Sequence, residues 1–420
     1  MTNPLVEALD ARFEAMAPEL RAIYQDLHRN PELSMREERS AGIAADWIER
    51  FGYQVSRGVG VTGVAGVLRN GDGPTVLLRA DMDALPMDED TALPYSSQVP
   101  GVAHSCGHDM HVAWLMGAAR VLAEAREAWR GTLLVVFQPG EETAQGARAM
   151  VEDWDGAGLP RADVVLGQHV MVGAAGTVRY RPGVILSAGD SLQVRMFGRG
   201  AHGSQPQNAV DPVVMAASTV LRLQTIVSRE VAPLDSAVLT VGSLHAGTKE
   251  NIIPDEATIQ LNMRTYDEGV REHMLGAVRR ICCAEAHASA APKEPEFTTL
   301  SSYPLTDNDH AATAKVVAAF HAQFGDRARE TRPSAASEDF SIFGRSWGVP
   351  YVFWFVGGTD PATYERHRQA GTVKDIPDNH SPRFAPVIDP TLRTGLEAML
   401  AAASAWLCAP HAGDPSPDAI

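Results

Sequence analysis

The sequence predicts an α/β protein of two domains, one α/β domain interrupted by a smaller insert, and three observations predict it. The chain has 420 residues, more than one hydrophobic core usually serves. Short apolar strands alternate with amphipathic helices up to about residue 187 and again after about residue 305, the rhythm of a sheet covered on both faces. Between these stretches the order becomes β-α-β-β-α-β, the split βαβ pattern.

Taken in order, Leu5, Leu9, Phe13, Met16, Leu20, Ile23 and Leu27 recur at steps of three and four, which predicts a helix. Ile43, Trp47 and Ile48 mark a second. Strands are expected at Val61–Leu68 and Thr75–Arg79, a helix from His108 to Glu127, a strand at Thr132–Phe137, a short helix over 145–153 and a strand at Val164–Gly167. The insert reads as strand Ser191–Phe197, helix Pro212–Ser228, strands Ala237–Leu244 and Ala257–Arg264, helix Glu268–Ala290 and strand Glu296–Leu300. A helix over 310–324, a strand at Tyr351–Phe355 and a helix near 390–407 complete the outer domain. The expected boundaries are 1–187 and 303–410 for the interrupted domain and 188–302 for the insert. A Pro-, Gly- and Asp-rich tail at 411–420 is expected to be flexible.

Composition narrows the function classes. With 36 Lys+Arg against 52 Asp+Glu the formal net charge is −16, which disfavours nucleic acid and anionic membrane as partners. No apolar run approaches the ~18–20 residues that span a bilayer. The first residues lack a basic region followed by an apolar one, so a cytoplasmic protein is expected. The four cysteines stand at 106, 282, 283 and 408, a poor disulfide framework. Only Cys106 lies among histidines.

That cysteine belongs to the richest stretch, His104-Ser-Cys-Gly-His-Asp-Met-His111. A turn at a helix start lets Cys106 and His108 converge, and a metal would hold them as thiolate and neutral imidazole. A polar cap with a buried cysteine, or a Cys–His hydrolytic pair, are the other readings of these residues. Next, an apolar strand runs into Pro139-Gly-Glu-Glu142 at the carboxyl end, where α/β sheets place their sites. Of two adjacent carboxylates one is expected against a cation and the other free to trade protons, unless the pair is only a solvated turn. His169 follows another strand, and His380 lies on a late loop. Asp81 and Asp83, two apart on extended chain, point the same way and could orient a ligand histidine.

These stretches together resemble the M20 metallopeptidase family, in its amidohydrolase branch of hippurate hydrolases, N-acyl-amino-acid aminoacylases and auxin-conjugate hydrolases. The motifs are HRNPELS (28–34), RADMDALP (79–86), HSCGHDMH (104–111), FQPGEE (137–142), GQH (167–169), GRGAHGSQP (198–206), NIIPDEA (251–257), SEDF (337–340) and NHSPRF (379–384). They span nearly the whole chain in order. The resemblance implies a mixed-sheet catalytic domain and a ferredoxin-like lid and dimerisation domain. It implies two divalent metal ions, Zn²⁺ foremost with Mn²⁺, Co²⁺ or Ni²⁺ open, held by Cys106, His108, Glu142, His169 and His380. Glu141 would be the catalytic base, with Asp83 beside the ions. His202 would reach the partner subunit's site and stabilise an oxyanion, while Asn251 and Arg264 would hold a substrate carboxylate.

The implied reaction is hydrolysis of a small-molecule N-acyl-amino acid by a homodimer. A dipeptidase or carboxypeptidase is the alternative within the family, and a metal-containing binding protein without turnover the alternative outside it. Met196, Phe197 and Leu244 are candidates for an acyl pocket, against a plain packing role.

Overall fold

A computed structural model describes residues 3–408; the tail expected at 411–420 lies outside the described residues. The chain divides into two units. Among the described residues the first comprises 3–185, 307–332 and 339–408, the second 186–306 and 333–338.

The first unit is built on an eight-stranded mixed sheet. Its strands, in spatial order, are Gln54–Val59, Gly63–Asn70, Gly131–Gln138, Thr75–Asp81, Val164–Ala174, Tyr351–Thr359, Val178–Tyr180 and Ala328–Glu330. The central strands are buried along almost their whole length, which is why they read as unbroken apolar runs rather than alternating ones. Val76, Leu78 and Ala80 join the main core cluster, to which helices Phe13–Arg29, His108–Glu124 and Ile388–Leu407 also contribute. Leu77 and Arg79 take the alternate positions and face the other way, with Arg79 stacked toward the Phe340 ring.

Helix Ile388–Leu407 comes so close to helix His108–Glu124 that a Cβ on Gly395 would stand 2.0 Å from Trp114 Cε2. The Trp114 indole N–H also donates to the Thr391 carbonyl at 3.1 Å. Bare backbone is what admits the indole here.

The second unit carries a four-stranded antiparallel sheet in the order Ala237–Ala246, Glu256–Thr265, Ala188–Phe197, Glu296–Tyr303. Helices Pro212–Thr225 and Glu268–Ala288 supply the rest of its core. Connectivity and strand order are those of the split βαβ fold.

Several elements differ from expectation. The first apolar stripe is two helices, Pro4–Asp10 and Phe13–Arg29, separated by a two-residue turn at Ala11 and Arg12, and Leu5, Leu9, Phe13 and Met16 still face one core. Strand Val164–Ala174 runs seven residues past the expected Gly167, so His169 sits within the strand and not at its end. The cause is continued pairing with Tyr351–Thr359, itself longer than expected, and polar or glycine residues inside both runs hid this. Edge strand Gln54–Val59 went unrecognised because its exposure shows no alternation. Helix Pro361–Ala370 has no buried residue and hence no apolar stripe to read.

Replacing Gly395 by Ala is expected to cost about 1–3 kcal/mol by overpacking. Urea unfolding followed by circular dichroism should show a lower midpoint at unchanged slope.

Candidate metal centre

Neighbouring strands assemble the site. Thr75–Asp81 and Gly131–Gln138 run parallel with Asp81 opposite Gln138, so Asp83 and the Pro139–Glu142 turn leave the sheet side by side. On the other flank Arg79 stands opposite Gly167, which brings His169, two residues on, level with Asp81. Helix His108–Glu124 starts here with Cys106 just before it. The late loop is stitched to the same point: Asn379 Nδ2 donates to the Cys106 and Val170 carbonyls at 2.9 and 3.1 Å, and the His380 N–H donates to the Ser105 carbonyl at 2.8 Å.

Hydrogen bonds set the imidazole tautomers. His169 Nδ1 donates to the Val170 carbonyl at 2.7 Å, leaving the Nε2 lone pair toward Cys106 Sγ, 3.4 Å away. His108 Nδ1 donates to Asp83 Oδ1 at 3.2 Å, and its buried Nε2 has no hydrogen-bond partner. Glu142 Oε1 is likewise buried without a hydrogen bond; it lies 3.3 Å from His380 Nε2 and 3.9 Å from His108 Nε2. Outward-facing lone pairs backed by a carboxylate or carbonyl are how metal-binding histidines are held.

Two ligand groups follow, Cys106 with His108 and His169, and Cys106 with Glu142 and His380; within each, the ligand atoms lie within 4.8 Å of one another. Sulfur and nitrogen ligands around one tetrahedral ion stand roughly 3.3–3.6 Å apart, and the Cys106–His169 separation of 3.4 Å falls in that span. Cys106 belongs to both groups, as a bridging thiolate would.

The electrostatics ask for cations. Glu37, Asp81, Asp83, Asp109, Glu141 and Asp339 are all buried in this unit; Arg79 pairs with Asp81 and Asp339, His28 with Asp109 and His108 with Asp83. Buried carboxylates in such excess need compensation. Burial and the Glu142 charge push the Cys106 thiol up, so a thiolate there requires a cation beside it. Burial by itself would lower His108, but Asp81 and its neighbours hold it well above its ordinary value: positive charge is drawn to this spot. The mixed sulfur, nitrogen and oxygen donors fit divalent transition-metal ions.

A buried network lies beneath. Arg79 donates to Gln138 Oε1 at 2.8 Å, to Asp81 Oδ2 at 2.7 Å and to Asp339 Oδ1 at 3.2 Å. Asp81 Oδ1 in turn accepts from His111 Nδ1 at 2.5 Å, and His111 Nε2 accepts the Val170 N–H at 2.9 Å. A backbone N–H can only donate, so His111 is neutral with both nitrogens engaged and cannot serve as a ligand. It instead fixes the backbone beside His169.

The sequence-predicted residues of the second unit sit as follows. His202 is exposed on the short strand Ala201–His202 paired with Ile252–Ile253, its Nδ1 2.7 Å from Ser204 Oγ. Asn251 is exposed next to that pairing, its carbonyl accepting from Gly203 N. Arg264 is half-buried, donating to Asn262 Oδ1 at 3.1 Å and Ser337 Oγ at 2.5 Å. Met196 and Phe197 are buried, Met196 inside the unit's core, whereas Leu244 is exposed.

Sequence reasoning assigned no role to Arg79, Glu37, His28, His111 or Asp339. A charge within an apolar run, as in Thr75-Val-Leu-Leu-Arg-Ala-Asp81, is the signal that would have marked Arg79.

The model of Peptidase family M20/M25/M40 matches residues 77–379. A hippurate hydrolase of Campylobacter jejuni is 38% identical over 358 residues, covering 84% of this chain and 90% of the relative. Thermostable carboxypeptidase 2 of Saccharolobus solfataricus is 34% identical over 386 residues, covering 90% and 93%. Among solved structures, a dinuclear metal binding peptidase of the M20 family from Bacillus subtilis superimposes with a TM-score of 0.74 at 27% identity, covering 93% of this chain and 99% of that one.

His28 offers a test of the buried electrostatics. Its Nδ1 lies 2.7 Å from Asp109 Oδ2 and its Nε2 3.2 Å from Glu89 Oε1. Burial alone would lower it, but those carboxylates outweigh burial and raise it to about 9. A group protonated more readily when folded stabilises fully below its unfolded value of ~6.5 and loses that contribution as pH rises through the folded one. Wild type is therefore expected to exceed His28→Gln in melting temperature at pH 6–7, with the gap closing toward pH 10.

Proposed function

The chain belongs to peptidase family M20/M25/M40, and from that premise we propose that it is an amidohydrolase with two metal ions that cleaves N-acyl-amino acids into a carboxylic acid and a free amino acid. The observation that carries this reading is the convergence of Cys106, His108, Glu142, His169 and His380 around Glu141. These five residues would hold the ions, with Zn²⁺ the best match to the donor set and Mn²⁺, Co²⁺ or Ni²⁺ able to use it. When bound, the ions supply Lewis acidity that polarises the amide carbonyl and acidifies water.

Glu141 is buried, with Oε2 3.9 Å from His108 Nε2. As general base it takes a proton from the attacking water, a C–O bond forms at the carbonyl carbon, and the proton passes to the amine nitrogen as the C–N bond breaks. Asp83 keeps His108 in its ligating tautomer. Arg264 has no carboxylate partner among the described residues, so its charge is free to pair with the α-carboxylate of the substrate, and Asn251 adds a neutral hydrogen bond. We assign the second unit as lid and dimerisation domain, with His202 stabilising the oxyanion in the partner subunit's site. The four cysteines are free, which suits a reducing cytoplasm, and we take the enzyme to act there as a homodimer. No described helix is long and apolar enough to cross a membrane.

Hippurate is an N-acyl-amino acid, and a carboxypeptidase also cuts the amide bond next to a free α-carboxylate. The likeness to a carboxypeptidase favours that second reading, in which the acyl group is a peptide. N-acetyl-, N-benzoyl-, long-chain N-acyl- and indoleacetyl-amino acids, assayed beside dipeptides with Zn²⁺ or Mn²⁺, separate the two: N-acyl-amino acids are expected to give the higher kcat/KM, and a panel cleaved only as peptides would refute the first reading. Glu141→Ala is expected to lower kcat about 10²–10⁴-fold, the scale of general-base catalysis, while metal analysis still finds the ions. EDTA dialysis is expected to abolish turnover, and Cys106→Ser to reduce the metal bound per chain. Mixed dimers of His202→Ala and Glu141→Ala subunits are expected to recover activity if His202 acts across the interface.

A further inference from the structure

The turn that carries Glu141 and Glu142 is held in place by three buried carboxylates from three other segments. Gly140 N–H donates to Glu37 Oε1 at 2.8 Å, Glu142 N–H to Asp83 Oδ2 at 2.9 Å, and Ala147 N–H to Asp339 Oδ2 at 3.1 Å. Asp83 and Asp339 have other work, on His108 and on Arg79 and Gln138. Glu37 does not. It is fully buried, and its remaining bonds are to Met35 N–H at 2.9 Å on Oε1 and to Thr62 Oγ at 2.6 Å on Oε2.

The turn needs such a hold. Gly140 and Ala144 both lie in the left-handed region, at φ 56 and 57, and for Ala144 this conformation is intrinsically unfavourable. Met35, at φ 64, packs against the bare Gly140 so closely that a Cβ there would stand 2.4 Å from its Sδ. One carboxylate oxygen thus receives the N–H of Gly140 and that of the residue pressed against it. Within the turn, Gln145 and Gly146 N–H close back on the Gly140 carbonyl at 3.2 Å, so displacing Gly140 displaces the whole segment.

We propose that Glu37 is the positioning residue for the catalytic turn: by fixing Gly140 it sets where the Glu141 and Glu142 carboxylates stand. The inference rests on the roles proposed for those two residues. Its physical content is placement, not charge, and three substitutions separate the two. In Glu37→Gln the amide oxygen still accepts from Gly140 and Met35, and the amide nitrogen can donate to Thr62 Oγ. Glu37→Asp keeps the charge but is one methylene too short, and Glu37→Ala keeps neither.

With the metal-loaded enzyme, Ala and Asp at 37 are expected to lower kcat about 100-fold with KM changed less than about threefold, the scale of a ~1 Å misplacement, while Gln restores kcat to within about threefold of wild type. Hydrogen exchange of the 140–147 amides should be at least about tenfold faster in the Ala and Asp variants and near wild type in the Gln variant. That readout needs no substrate, so it stands even if the enzyme cleaves no N-acyl-amino acid, an outcome that would refute the proposed function alone. Wild-type kcat and protection in a folded Glu37→Ala protein would overturn the proposal; so would Asp behaving as wild type while Gln behaves as Ala, which would make charge the cause. Should Ala fail to fold, Thr62→Val removes only the donor to Oε2. Faster exchange at 140–147 in that variant would support the proposal, and unchanged exchange would overturn it.

Discussion

The Arg79 guanidinium, buried in the sheet between Asp81 and Asp339, is the interaction on which the rest of the site depends. An unpaired charge in that position would be prohibitively costly, so the three segments that neutralise or bond it must come together for the sheet to form at all. They are the end of strand Thr75–Asp81, the end of strand Gly131–Gln138 and the residues before helix Ser341–Trp347. From Asp81 the constraint passes through neutral His111 to the backbone beside His169. From Gln138 and Asp339 it passes to both ends of the Glu141–Glu142 turn. Removing one member of such a network leaves its partners buried and unpaired, so the damage spreads to every segment the network ties together.

Above this layer negative charge is in excess. Burial raises the free energy of each carboxylate, yet Asp81 is held well below the ordinary carboxylate range because Arg79, His108 and His111 surround it. His108 is raised for the same reason, and the Cys106 thiol is pushed up where it lacks a cation. These opposite displacements share one origin, a pocket of low dielectric with more acids than bases. Divalent ions held by Cys106, His108, Glu142, His169 and His380 would compensate it with donors already turned inward.

Much of the fold was legible because burial on both faces writes an unmistakable pattern. Helix His310–Phe324 and the core of each central strand follow from apolar runs and their spacing. Elements without a buried face, such as strand Gln54–Val59 and helix Pro361–Ala370, left no such trace. The site was legible in part. Cys106 and His108 stand out as metal-type donors on one turn, the Glu141–Glu142 pair, His169 and His380 are visible only as polar residues near strand ends or on a loop, and the resemblance supplied their separate roles. The supporting residues stayed silent because nothing local marks them: Glu37 looks like one more charge in Met-Arg-Glu-Glu-Arg, and only its burial and its bond to Gly140 distinguish it.

By itself the sequence determined the residue types that do chemistry, the α/β class and the insertion of one split βαβ unit within another fold. Those depend on side-chain identity and on hydrophobic period, both local properties. The tertiary structure alone decided which nitrogen of each histidine faces the ligand group, which carboxylates are structural, and that His169 lies inside a strand. Apart from the His169 Nδ1 bond to the adjacent Val170 carbonyl, these are set by hydrogen bonds between residues tens to hundreds of positions apart. Such a bond exists only once the sheet has brought its partners into register.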